Sequence, residues 1–353
     1  MATSTRQFWS LVRESLRGSR PDLTQIPLGR AILLLAVPMV LEMGMESIFA
    51  VADIFWVSKL GPDATASVGL TESMMVIVYA LAMGLSMGGA AVVARRIGQK
   101  DPDGAARATI QMIIIGVALS VVVGVLGATL APHLLKMMGA SPDTIAVGGS
   151  FTAIMLGGCV TVVLLFMMNA AFRGAGDAAI SMRTLILANS INIVLGPFLI
   201  FGWGPFPRMG VAGAAVATTF GRGVGVLYQL YSLRAGRGHL VIRRDHLRLD
   251  PEILKTIARI SSSGVVQSLI GTASWVGLVK ILAGFGSAAL AGYTITVRIV
   301  LFAILPCWGM SNAAATLVGQ NLGAGQPDRA ESAVWRAAWY NFVFLGAIGV
   351  LFL

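Results

Sequence analysis

Apolar residues run through this chain in blocks too long for the alternations of a soluble fold. Nine blocks of roughly helical-span length can be marked, at 32–58, 66–94, 108–131, 145–171, 180–203, 211–233, 258–283, 288–318 and 334–353. About 20 apolar residues cross a bilayer as a helix, and only helices or closed barrels satisfy their backbone there. The pattern therefore predicts an all-α membrane protein. The intervening segments carry helix breakers: Gly61-Pro62, Asp101-Pro102, Ser141-Pro142, Gly204-Pro205 and Gln326-Pro327. Residues 1–30 are polar and basic, with a short interfacial helix expected around Phe8–Leu16.

Composition agrees with that pattern: 56% of the 353 residues are hydrophobic and 12% charged, against about 25% charged in soluble domains. The basic residues also set an orientation. Twenty of the 26 lie in the N-terminal tail and the even-numbered loops, and only Lys59, Lys136, Arg208 and Lys280 lie in the odd ones. That asymmetry puts the tail and even loops in the cytoplasm, with the bacterial inner membrane as the expected location. The net charge of +10 is thereby assigned to cytoplasmic loops, and no nucleic-acid partner is expected. Cys159 and Cys307 sit in apolar blocks and read as small buried hydrophobes without a disulfide.

A shift of 225 residues aligns the chain with itself. Gly61 falls on Gly286, Gly84 on Gly309, Ser86 on Ser311, Gly98 on Gly323, Pro102 on Pro327 and Asp103 on Asp328. Six spans separate the copies, an even number, so both halves have the same orientation. This predicts two six-helix lobes related by a pseudo-twofold along the membrane normal, a transporter architecture. Residues 1–30 would be the tail, 31–233 the first lobe, 234–257 a cytoplasmic linker and 258–353 an incomplete second lobe. About nine of twelve helices would then be present.

The acids break the repeat. Glu46, Asp53 and Glu72 align with Gly271, Leu278 and Val297, so ionisable chemistry is expected in the first lobe alone. Glu42, Glu46 and Asp53 share one stripe of the first span, PMVLEMGMESIFAVADIFWVSKLG (38–61). An ionised carboxylate in hydrocarbon costs at least ~2.5 kcal/mol, so the stripe must face protein or a watery cavity. Asp53 and Glu72 flank the turn at Gly61 at similar depth. They are the candidate sites for coupling to an ion gradient, because burial disfavours ionisation and brings a carboxylic acid within reach of protonation. Glu42 is expected to line an inner vestibule, and Glu46 to lie between it and Asp53. The fifth span places Asn189, Asn192 and Gly196 on one face, where the asparagines are expected to bond Asp53, a ligand or a neighbouring helix. Pro197 should break or bend that helix. Thr218 is a further polar candidate. Arg222 and Arg298 lie within spans and need partners if buried; Arg298 is a candidate for neutralising an acid or lining the cleft.

Enzyme chemistry has no support. The phosphate-loop pattern G-x4-G-K-[ST] is missing from the sequence, and His133, His239 and His246 fall in loops without metal-ligand spacing. No cofactor or metal is expected.

Four stretches resemble the multidrug and toxic compound extrusion (MATE) family: ADIFWVSKLGPDATASVG (52–69), FRGAGDAAISM (172–182), NIVLGPFLIFGWGPFPRMGVAGAAVAT (192–218) and RIVLFAILPCWGMSNAAATLVGQNLGAGQPDRA (298–330). The resemblance implies twelve helices in two lobes, a central cleft, and export of cationic or amphipathic organic compounds in exchange for protons or sodium ions. Asp53 matches the family's first-helix acid, and Asn192 and Thr218 match polar members of its N-lobe network. Gly196 stands where many prokaryotic members carry aspartate, which leaves more of the coupling to Asp53. Organic cations and membrane lipids are the expected partners, and a monomer the expected state. Two rivals would read the scaffold otherwise. A flippase for lipid-linked precursors would need a basic cleft, and a passive channel or membrane receptor would have no use for a buried acid.

Overall fold

In the computed structural model, the backbone is described for residues 5–283, 285 and 287–351. Side chains are described for these residues except 5, 7, 8, 276, 283, 287–292, 294, 295, 298, 299 and 301–303. Eleven α-helices follow one another: α1 Thr5–Arg17, α2 Leu28–Ser58, α3 Pro62–Gly98, α4 Pro102–Met137, α5 Pro142–Gly157, α6 Cys159–Ala175, α7 Ala178–Phe201, α8 Val211–Arg234, α9 Pro251–Ala283, α10 Ser287–Gly323 and α11 Pro327–Leu351. No strand occurs among the described residues. Eight helical segments there are long and apolar enough to cross a membrane, α5 and α6 counting as one span, Pro142–Ala175. The remaining block, 288–318, falls within α10.

Several helices outrun the blocks that predicted them. The 37 residues of α3 measure about 55 Å at 1.5 Å per residue, well beyond a ~30 Å hydrocarbon core. Apolar patterning marks only the part of a helix that lies in lipid, whereas caps mark its ends. Asp101 accepts from Gly104 N at 2.8 Å with Pro102 at the first position of α4, and Ser141 accepts from Thr144 N at 3.1 Å to start α5. The block 145–171 is interrupted at Gly158, which the pattern did not indicate, and α7 runs through Pro197 to Phe201 rather than ending there. His133 lies on α4, not in a loop.

Helices α2–α8 form one bundle. Its main core lies between α3, α4, α6 and α8 around Met112, Met167, Met168 and Phe172. A second, around Phe151, Ile200 and Val211, closes the end near the α2–α3 turn. There Trp56, Phe198, Phe201, Trp203 and Phe206 form a run of ring contacts with centroids 5.7–6.2 Å apart, the kind of aromatic belt that sits at a membrane–water boundary. Gly221 lets α7 and α8 touch backbone to backbone: a methyl there would lie 2.5 Å from the Ala188 carbonyl oxygen.

The 225-residue offset reappears in the elements. α3 and α10 both have 37 residues and begin and end 225 apart, α2 and α9 end at Ser58 and Ala283, and α4 and α11 begin at Pro102 and Pro327. The contacts of α9 and α10 with α2 and α3 are also reciprocal. A Cβ on Gly84 would lie 2.5 Å from Val265 Cα, and one on Gly309 would lie 3.0 Å from Val40 N. One on Gly98 would lie 2.7 Å from the Gln320 carbonyl carbon, and one on Gly323 3.0 Å from that of Arg95. Each second pair is the first with both members moved by 225. Ala94 and its own repeat mate Gly319 meet each other, a Cβ on Gly319 lying 2.6 Å from Ala94 Cβ. These approaches gather at the arginine-rich end. Further along α9, Val266, Ile270, Leu278 and Ile281 are exposed.

Candidate functional site

Two charged levels lie along α2 and α3. Asp53 and Glu72 form the level nearer the α2–α3 turn, and Glu46 and Tyr79 the next. Each pair is seven residues further along its antiparallel helix, or about 10 Å.

At the first level Asp53 is half-buried and makes no hydrogen bond or ion pair among the described residues. The charges acting on it are Glu72, which is exposed, and Arg222 of α8. The two acids predicted to share a depth are thus brought together. At the second level Glu46 is the hub. Its Oε2 accepts from Asn189 Nδ2 at 3.0 Å, and its Oε1 lies 3.5 Å from Arg222 Nη2. Arg222 is only 5% exposed. It also donates to Tyr79 OH at 3.3 Å and sits over the Phe49 ring at 5.5 Å. Asn192, one turn beyond Asn189, donates to Thr218 Oγ1 at 2.7 Å, with both side chains buried. Neither asparagine bonds Asp53: one ties α7 to α2 through Glu46, the other ties α7 to α8. At Gly196, the next position on that face, an added methyl would meet nothing within 4 Å among the described residues.

Glu42 does not line a vestibule. It is 1% exposed and paired with Arg173 Nη1 of α6 at 2.7 Å, and its Oε2 is buried without a hydrogen-bond partner among the described residues. The backbone around Arg173 receives two donors from α10, Thr316 Oγ1 to the Arg173 carbonyl at 3.1 Å and Gln320 Nε2 to the Gly174 carbonyl at 2.9 Å. Glu42 therefore belongs to the arginine-rich closure and not to an open cleft. Its position one turn from Pro38 on the acidic stripe suggested otherwise, because periodicity gives a face and not the neighbour that covers it. The side chain of Arg298 lies outside the described residues.

The sequence placed Glu46 between Glu42 and Asp53 without marking it as the centre of a network, and did not single out Tyr79 or Arg173. A signal existed for the first: a buried arginine at 222 requires a carboxylate, and α2 is the acid-bearing helix. Tyr79, midway along its apolar span, and Arg173, just past the end of one, carry no pattern that separates them from other residues in such places.

Comparison with known proteins gives the context. Across 327 residues the chain is 27% identical to the FAD transporter of Shewanella oneidensis, covering 92% of this chain and 72% of that one. It is 24% identical to the probable multidrug resistance protein YoeA of Bacillus subtilis, covering 91% and 70%. A solved structure described as the outward-facing conformation of a multidrug resistance MATE family transporter superposes with a TM-score of 0.85 at 28% identity, over 99% of this chain and 74% of that chain. The MatE family profile matches residues 38–198 and 265–353. With the helical order, the polar levels and these matches together, the chain belongs to the MatE family of multi-pass membrane transporters, which are not enzymes.

Proposed function

We propose that this chain is the ion-coupled, cargo-handling part of a secondary active multidrug exporter that exchanges cationic or amphipathic organic compounds for protons or sodium ions. The observation that carries the reading is Asp53: an acid at membrane depth, half-buried, without a hydrogen bond among the described residues, and within electrostatic reach of Glu72 and Arg222. A structural acid would be tied down as Glu42 is. One left unpaired and only half-buried is free to gain and lose a cation. Ion uptake at Asp53 from the outside neutralises it, and organic cation held near Glu46 and Glu72 is released. Loss of the ion to the cytoplasm restores the negative charge and with it cargo affinity. Asn192 and Thr218 tie α7 to α8, and Gly196 leaves that face of α7 without a second acid.

Two lobes rocking about a common axis would alternate access to this site. The reciprocal contacts 225 residues apart support that geometry, with Ala94 and Gly319 at the axis. Closure at the arginine-rich end corresponds to an outward-open state if that end is cytoplasmic, as the positive-inside rule requires. The protein would function as a monomer in the bacterial inner membrane, with its N-terminus in the cytoplasm.

The Shewanella relative is named for FAD, an anionic cargo. Here Glu46, Asp53 and Glu72 stand against the lone Arg222 among the described residues of the two levels, which favours cations and disfavours lipid-phosphate flipping. Drug efflux from cells expressing Asp53→Asn tests the reading. Loss of efflux with normal membrane expression is expected, and unchanged drug resistance would refute the assignment.

A further inference from the structure

We infer that Arg222 is a resident counter-cation of the cleft, occupying Glu46 in place of cargo, and that cargo binds by displacing it. The inference rests on the exporter reading above and deepens it: a cationic cargo must compete with Arg222 for Glu46.

A guanidinium does not shed its proton in a protein, so Arg222, 5% exposed, must always be near a negative charge. Its contacts are nevertheless loose: 3.5 Å to Glu46 Oε1 and 3.3 Å to Tyr79 OH, where the Arg173–Glu42 pair closes to 2.7 Å. The carboxylate is the fixed member, because Asn189 holds Glu46 Oε2 at 3.0 Å. The charged and titratable groups facing Arg222 are Glu46 and Asp53 from α2 and Tyr79 from α3, with Glu72 of α3 acting on Asp53. From α7, neutral Asn189 bonds the same Glu46 carboxylate. When Asp53 is ionised, the guanidinium has two carboxylates to choose between; when Asp53 is neutral, only Glu46 remains. Arg222 thereby couples the charge of Asp53 to the availability of Glu46, and Phe49 and Tyr79 supply the ring surface that a delocalised cation would use.

Calorimetric titration with tetraphenylphosphonium at pH 6, 7 and 8 measures the affinity. Arg222→Met should bind about tenfold more tightly than the parent at pH 8, because no resident cation then has to leave Glu46. Arg222→Lys, which keeps a cation, should fall between the two. Glu46→Gln/Arg222→Met, which removes both charges, should lose the gain. Each variant is first checked for an intact thermal transition. Equal or weaker binding by folded Arg222→Met would overturn the inference while leaving the exporter reading in place. Failure of the parent protein to bind tetraphenylphosphonium at any of the three pH values would overturn both.

Discussion

Gly84→Ala offers a graded test of the closed end of the molecule. A Cβ there would lie 2.5 Å from the Val265 Cα, and ordinary carbon contacts lie at about 3.5–4.0 Å. Backbone cannot rotate away as a side chain can, so α3 and α9 must part by roughly 1 Å. Overpacking of this kind costs typically 1–3 kcal/mol, which disfavours the closed arrangement by about 5–150-fold relative to any state in which the two helices are apart. Ser261 reports on that equilibrium. It is 1% exposed, donates to the Leu85 carbonyl at 3.2 Å and lies against Gly88. Both native thiols, Cys159 and Cys307, are buried. In a Ser261→Cys background, a membrane-impermeant maleimide added from the arginine-rich face should label position 261 at least about fivefold faster once Gly84→Ala is introduced. The repeat mate provides an internal scale. Gly309→Ala meets the Val40 side chain at 2.9 Å and its backbone N at 3.0 Å, a milder overlap, and should accelerate labelling less. Equal labelling rates with and without Gly84→Ala in folded protein would refute the idea that these glycine approaches hold the end shut.

Other expectations follow from single contacts. Glu42→Gln leaves the half-buried Arg173 without its counter-charge, a change that should destabilise by no more than the about 3–5 kcal/mol of a fully buried broken pair; a thermal transition within a degree of the parent would contradict it. Gly196→Ala should stabilise by about 0.5–1 kcal/mol, since the helix loses a glycine and the methyl meets open space, and a lowered thermal transition would show that the space is required. A double-mutant cycle on Asn192→Ala and Thr218→Ala should give a coupling of about 0.6–1.7 kcal/mol, the range for interhelical bonds in membranes, whereas additive effects would mean that the 2.7 Å bond contributes nothing.

The helices were legible in the sequence because lipid demands long apolar runs, and the repeat was legible because helix contacts demand glycine at matched places such as Gly84 and Gly309. The ends of α3 and α4 were less so: beyond the lipid a helix is set by its caps, Pro62 and Asp101, rather than by hydropathy. The acid-bearing face of α2 could be read from spacing, which brought Asp53 and Glu72 to one level. Spacing could not tell which acid is covered. Glu42 is enclosed by Arg173, 131 residues away, and Glu46 is held from α7 and α8, and such long-range partners leave no local signature. Arg222 announced that a partner was needed without naming it.

The account stands on the charge of Asp53, and the most direct measurement of it is cation-driven proton or sodium movement in liposomes carrying the transporter, under separately imposed proton and sodium gradients. The account predicts that an organic cation drives counter-movement of one of the two ions with the parent protein and of neither with Asp53→Asn. Cation-driven ion movement that persists in Asp53→Asn would contradict it.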